Sequence, residues 1–192
     1  MELRAPLWLS WLIVLVVLPC AFAHWSEWKE GHATYSGSPA RTVGSACGYE
    51  EQKKTYGLYT AAVSTTLFKN AAGCGGCYEV RCVKSKMYCK KGHKSVVVTV
   101  TDLYPRLRGW TPPLPHFDLS QPAFLKIADH LGGHVPVMYR SVPCKRKGGG
   151  KFKISGNSYF NIVTVTNVGE GGDVKKLEVK ADGEKKWKAL KR

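Results

Sequence analysis

Six cysteines, at positions 47, 74, 77, 82, 89 and 144, constrain this chain more than any other feature. A seventh, Cys20, falls in a leader that is expected to be removed. Residues Leu7 to Leu18 form an apolar run, Pro19 breaks it, and Ala21-Phe22-Ala23 fits a small-x-small cleavage site. Residues 1–23 therefore read as a secretory signal peptide. The run is shorter than the roughly 20 apolar residues a membrane anchor needs. An even cysteine count in an exported chain implies three disulfides, and six cysteines allow fifteen pairings among which spacing does not choose. Zinc is the competing use of Cys74-x-x-Cys77, but no second matching pair exists in the sequence. The reading calls for no metal and no cofactor.

The stretch 112–124, Pro-Pro-Leu-Pro-His-Phe-Asp-Leu-Ser-Gln-Pro-Ala-Phe, is the most structured-looking segment between these cysteines. Its prolines stiffen the approach to His116, Phe117 and Asp118. Ser120 suits an N-cap and Pro122 the first helical turn. Phe124, Ile127, Ala128 and Leu131 then recur at helical spacing, and Gly132-Gly133 ends the pattern. The expectation is a rigid loop presenting an imidazole and a carboxylate just ahead of a helix. Asp118 as a mere cap for that helix is the structural alternative.

Elsewhere the pattern is mostly β. Strands are expected near 32–35, over 78–83, over the β-branched run 96–101 with Asp102 at its end, and over 135–142 with Pro136 at an edge or start. A short helix is expected over 60–69, with Val63 and Leu67 on one face. After Cys144 the composition shifts: residues 145–192 hold 13 Lys or Arg against 5 Asp or Glu. Strands there are expected over 151–154, 158–166 and 174–180. The chain carries a net charge of +15. Outside the cell that favours acidic polysaccharide, or at most a peripheral contact with an anionic membrane, over nucleic acid.

Six motifs recur in order: His32-Ala33-Thr34; Ala46-Cys47-Gly48-Tyr49; Cys74-Gly-x-Cys77-Tyr-Glu; His116-Phe117-Asp118-Leu119-Ser120; Val142-Pro143-Cys144; and Tyr159-Phe160-Asn161 with Thr166-Asn167-Val168-Gly169. Together they resemble the expansins, nearest the α-type of plants, from about residue 31 to 188. The resemblance implies a mainly β chain. A six-stranded double-psi β-barrel similar to family-45 endoglucanases would occupy 24–144, and part of an immunoglobulin-like β-sandwich 145–192. It implies disulfides Cys47–Cys74, Cys77–Cys144 and Cys82–Cys89. It also implies a protein of the cell wall that loosens the wall without hydrolysis, by disrupting contacts between cellulose microfibrils and matrix polysaccharides such as xyloglucan and acidic pectin.

Three departures stand out. Two cysteines of typical α-type members are missing together, at Thr101-Asp102-Leu103-Tyr104-Pro105 and at Gly109-Trp110-Thr111. Ser36 replaces a family tyrosine. The tail of 48 residues is about half of a sandwich domain of roughly 100. Such a half-domain is expected to pack loosely on the barrel, to dimerise, or to be a piece of a longer product.

Glycoside hydrolysis uses two carboxyl groups, about 6.5–9.5 Å apart in inverting enzymes. Asp118 matches the general acid of the endoglucanase relatives, but the base position near Thr34–Gly37 carries no carboxylate. Asp102 is the remaining acidic neighbour. The expected groove is therefore polysaccharide-binding and not catalytic. It is lined by Thr34, Tyr35, Asp102, Trp110, His116 and Asp118, with Tyr159 on the tail's platform. A cryptic endoglucanase using Asp118 and Asp102 is one alternative, and a small barrel-type signalling or defence protein another.

Overall fold

A computed structural model describes residues 26–36, 44–50, 52–104 and 115–191. The leader and Trp110 lie outside these residues. In chain order the barrel region contains β1 (Lys29–Ser36), α1 (Gln52–Tyr56), β2 (Thr60–Val63), α2 (Thr65–Phe68), β3 (Cys77–Cys82), β4 (Ser95–Leu103), β5 (His116–Ser120), α3 (Gln121–Ile127) and β6 (Val135–Ser141). The six strands close in the order β1-β5-β2-β4-β3-β6. The pairs β1–β5 and β2–β4 run parallel and the rest antiparallel. Closure removes every sheet edge, so Pro136 sits near the start of a strand and not at an edge.

Strand alternation sorts the side chains into two faces. Ala33, Ala61, Val63, Val80, Val98, Val100, Phe117, Leu119, Val135 and Val137 fill the interior. The β-branched run of β4 suits a strand paired on both sides, and its second half is buried throughout. Helix α3 packs Ala123, Phe124 and Ile127 against the barrel near β1, β4 and β5. Toward the other end, the rings of Tyr78, Phe117 and Tyr139 meet at 5.0–5.9 Å. Each large apolar side chain buried here contributes about 1.5–3 kcal/mol.

Four local expectations change. The segment expected as one helix over 60–69 is strand β2 followed by the single turn of α2. The small residues Ala61 and Ala62 fit between β4 and β5, and tertiary pairing overrides their helical preference. The expected loop at His116–Ser120 is strand β5, the partner of both β1 and β2. Ser120 does sit at the helix start, but its hydroxyl donates to Leu58 O and no side-chain cap forms. The helix ends at Ile127, and Leu131, expected on its buried face, is 72% exposed in a 3-10 turn at His130–Gly132. Ala128 instead bridges to Cys89.

The structure forms three disulfides, Cys47–Cys74, Cys77–Cys144 and Cys82–Cys89, as the resemblance implied. The tail contains two hairpins, β7 (Lys151–Gly156) with β8 (Asn161–Thr166), and β9 (Glu178–Val179) with β10 (Lys188–Ala189). The last expected strand shrinks to two residues, and Val179, which alternation placed on a half-buried face, is 47% exposed. The tail is held to the barrel at several points. Arg146 donates to Thr99 Oγ1 and lies over the Tyr56 ring. Lys153 pairs with Glu50. Gly75 and Gly172, both at positive φ, approach so closely that a Cβ on either would strike the other's carbonyl.

Candidate functional site

The registers place four residues in one row across four adjacent strands. Thr34 on β1 faces Asp118 on β5, Asp118 faces Ala62 on β2, and Ala62 faces Asp102 on β4. Their neighbours Ala33, Phe117, Leu119 and Ala61 point into the barrel, so Thr34, Asp118 and Ala62 lie on its outer face, and a register shift between Ala61 and Ala62 brings Asp102, two residues after the inward Val100, into the same row. Ala62, with only a methyl group, leaves a low point between the two acidic residues. Two strand spacings separate those residues, about 10 Å between backbones.

Asp118 is oriented by a relay. The Thr34 hydroxyl donates to Asp118 Oδ1 at 2.8 Å and lies 3.0 Å from His116 Nε2. A hydroxyl has one proton, which here goes to the carboxylate, so Nε2–H must donate to Thr34. His116 is fully buried. Burial, followed by the neighbouring His134 and His32, holds its imidazole down to about 4. It therefore stands neutral at physiological pH, locked in the Nε2–H tautomer. Ser64 fixes its backbone, since His116 N–H donates to Ser64 Oγ and Ser64 N–H to His116 O.

Sequence reasoning missed three neighbours of this relay. His134 stacks nearly parallel to His116 at 6.1 Å, and His32 lies 4.7 Å from His134. The Tyr104 ring lies 4.6 Å from His116. Burial and then the negative charge of Asp118 raise the Tyr104 phenol above its usual range. The signal for Tyr104 was present: it occupies one of the two positions where the family carries a cysteine. His32 stood in the motif His32-Ala33-Thr34 without being assigned to the site, and no local pattern marked His134; both reach the site through barrel closure.

The other expected residues are placed differently. Asp102 is 8% exposed. Its Oδ1 accepts from the N–H groups of Ala46 and Leu103, at 2.7 and 2.8 Å, so this carboxylate ties the Cys47 loop to β4. Tyr35 points opposite to Thr34, packs its ring at a tilt against Phe124 at 4.8 Å and donates to His130 O. Tyr159 is 99% exposed in the turn between β7 and β8. There Asn157 Oδ1 accepts from the N–H groups of Tyr159 and Phe160. The described residues contain no His, Cys, Asp and Glu grouping with metal-binding geometry. They also contain no helix long and apolar enough to cross a membrane.

A double-psi barrel family model described as lytic transglycolase matches residues 60–139, and a model of the expansin C-terminal domain matches residues 151–192. The chain is 50% identical over 176 residues to Expansin-A32 of Oryza sativa subsp. japonica, covering 86% of this chain and 65% of that one. It is 43% identical over 178 residues to Expansin-A13 of the same plant, covering 86% and 68%. Against Expansin-A7 of Arabidopsis thaliana it is 46% identical over 164 residues, covering 80% and 62%. The chain thus spans about two thirds of the length of these relatives. Among solved structures, a mutant Clavibacter michiganensis expansin in complex with cellohexaose aligns with a TM-score of 0.65 and 24% identity, covering 85% of this chain and 73% of that one. At that identity the likeness speaks to the fold.

Proposed function

The chain belongs to the expansin family, and from that premise we propose that it loosens plant cell walls by parting cellulose from matrix polysaccharides without cleaving a glycosidic bond. The observation that carries the proposal is the unequal use of two carboxylates on one face. Asp118, steadied by Thr34 and His116, faces outward and suits a sugar hydroxyl, which would donate to it in a charge-assisted bond. Asp102 is occupied with two backbone N–H groups, a poor arrangement for a base that must take a proton from water. Inverting hydrolysis needs both roles filled. Thr34, Tyr35, Ser36 and Gly37 supply no replacement.

The proposed ligand is a β-glucan chain lying along the row Thr34, Asp118, Ala62 and Asp102, with His116 and Tyr104 behind it. The complex of the Clavibacter expansin with cellohexaose supports cellulose as that glucan. Trp110 is proposed as an aromatic contact at the barrel, and Tyr159 as one on the tail, because flat rings cover the apolar face of a sugar; Tyr35, turned away from the row onto Phe124, is not one of them. Xyloglucan and acidic pectin are the proposed matrix partners. Secretion to the wall is proposed from the leader expected at 1–23, and the charge of +15 suits an acidic matrix.

The test is a titration with cellohexaose alongside an assay for released reducing sugar. Asp118→Asn is expected to weaken binding, by about tenfold for one charge-assisted bond, with no sugar released by either protein. Sugar release that disappears in Asp118→Asn would overturn the proposal in favour of an endoglucanase.

A further inference from the structure

A second concavity lies away from the groove, at the end of the barrel opposite α3. It is a cleft of about 360 Å³, bounded by the start of β1, α2 and its following turn, the start of β3, the end of β6, and the loop carrying Asp173. None of Thr34, Ala62, Asp102 or Asp118 lines it. Barrel mouths and volumes of roughly 300–1,000 Å³ are where small-molecule sites occur.

Resting on the acidic matrix partner proposed above, we infer that this cleft is a separate binding site for an acidic sugar unit, a hexuronate. Five side chains carry the inference: Lys29, Lys69, Tyr78, Tyr139 and Asp173. Neither lysine forms an ion pair with any described residue, although seven other pairs form among them. Two cations face one carboxylate, so the cleft has an excess positive charge of one. The hydroxyls of Tyr78 and Tyr139 have no hydrogen-bond partner among the described residues. Burial raises both phenols, and for Tyr78 the charges of Tyr139 and Asp173 add to it. Both therefore stay protonated and available as donors.

A hexuronate offers a carboxylate, a set of hydroxyls and an apolar C–H face. The carboxylate meets the two ammonium groups in charge-assisted contacts. Sugar hydroxyls accept from the tyrosines and donate to Asp173. Leu67 and Ala72 on the cleft wall take the C–H face. A neutral hexose would leave the excess positive charge of the cleft uncompensated, which is why the charge selects the acidic sugar. Gly31 lets Pro115 and Tyr139, two residues of the cleft wall, come close to β1, since a Cβ there would meet Pro115 O and the Tyr139 ring.

The test is calorimetric titration of the oxidised full chain with trigalacturonate, with neutral galactotriose and cellohexaose as comparators. Wild type is expected to bind trigalacturonate at least tenfold more tightly than galactotriose. The double variant Lys29→Gln/Lys69→Gln is expected to lose at least tenfold of that affinity and to keep its affinity for cellohexaose. Both lysines are surface residues, and an unchanged near-UV spectrum checks the fold. Asp118→Asn is expected to leave trigalacturonate binding intact, which separates this site from the groove. Equal affinity for the acidic and neutral trisaccharides would overturn the inference. So would an unaltered affinity in the double lysine variant, or an equal loss in Lys185→Gln/Lys186→Gln on the tail, which would assign binding to diffuse charge.

Discussion

His116 has a signature that no exposed histidine would give. Its imidazole ordinarily titrates near 6.5 and is held down to about 4 in the fold. Between these values the unfolded chain binds the proton more readily than the folded one. The stabilisation is therefore complete above about pH 6.5, declines as pH falls, and is gone below about 4. Over that window the decline is worth up to about 3 kcal/mol. Denaturant unfolding at pH 4.5 and 7 is expected to show this slope in wild type and a shallower one in His116→Gln. Equal slopes would remove His116 from that role. Thr34 links the imidazole to Asp118, and a hydrogen bond to a charged group contributes roughly 1.5–3 kcal/mol. Thr34→Val is expected to lose about that much stability and to weaken cellohexaose binding, while Thr34→Ser restores both.

At the scale of elements, local chemistry announced some pieces and hid others. The run Val96-Val-Val-Thr-Val-Thr101 reads as a strand and forms one, because β-branched residues suit a strand paired on both sides. His116–Ser120 read as a loop because prolines precede it, yet it is the strand that joins β1 to β2. Ala61 and Ala62 read as helix because Val63 and Leu67 recur at helical spacing. What decides their fate is the narrow space between Asp118 and Asp102, a fact of register. The same limit applies to the site. Thr34, Asp118 and Asp102 were legible as motif residues, but their shared row, and the approach of His32, His134 and Tyr104, depend on pairings between distant segments. The disulfides differ in what they close. Cys77–Cys144 spans a sequence separation of 67 and Cys82–Cys89 one of 7. Replacing the first pair by alanine is expected to cost about 4 kcal/mol and the second about 2, as measured by denaturant unfolding. A reversed order would contradict the barrel-to-tail tie assigned to Cys144.

The whole molecule joins a rigid barrel to a strongly basic tail through Cys144, Arg146 and the Gly75–Gly172 contact. The tail, expected from its length to pack loosely on the barrel, to dimerise or to be a piece of a longer product, meets the barrel at these points, while Phe152, Ile154 and Phe160 stay more than half exposed. Under the proposed function, the outward row on the barrel and the exposed Tyr159 and Phe160 on the tail are two separate contacts for polysaccharide. Contacts linked in one molecule reinforce each other when their spacing allows both to engage. Such a protein would hold and shift glucan chains without any step that breaks a covalent bond. The most direct measurement is creep of heat-inactivated plant cell walls under constant load at acidic pH, with released sugar assayed in parallel. The expected result is extension above the protein-free control with no soluble sugar, reduced in Asp118→Asn. Extension accompanied by sugar, or no extension from folded, fully disulfide-bonded protein, would contradict the non-hydrolytic wall-loosening role.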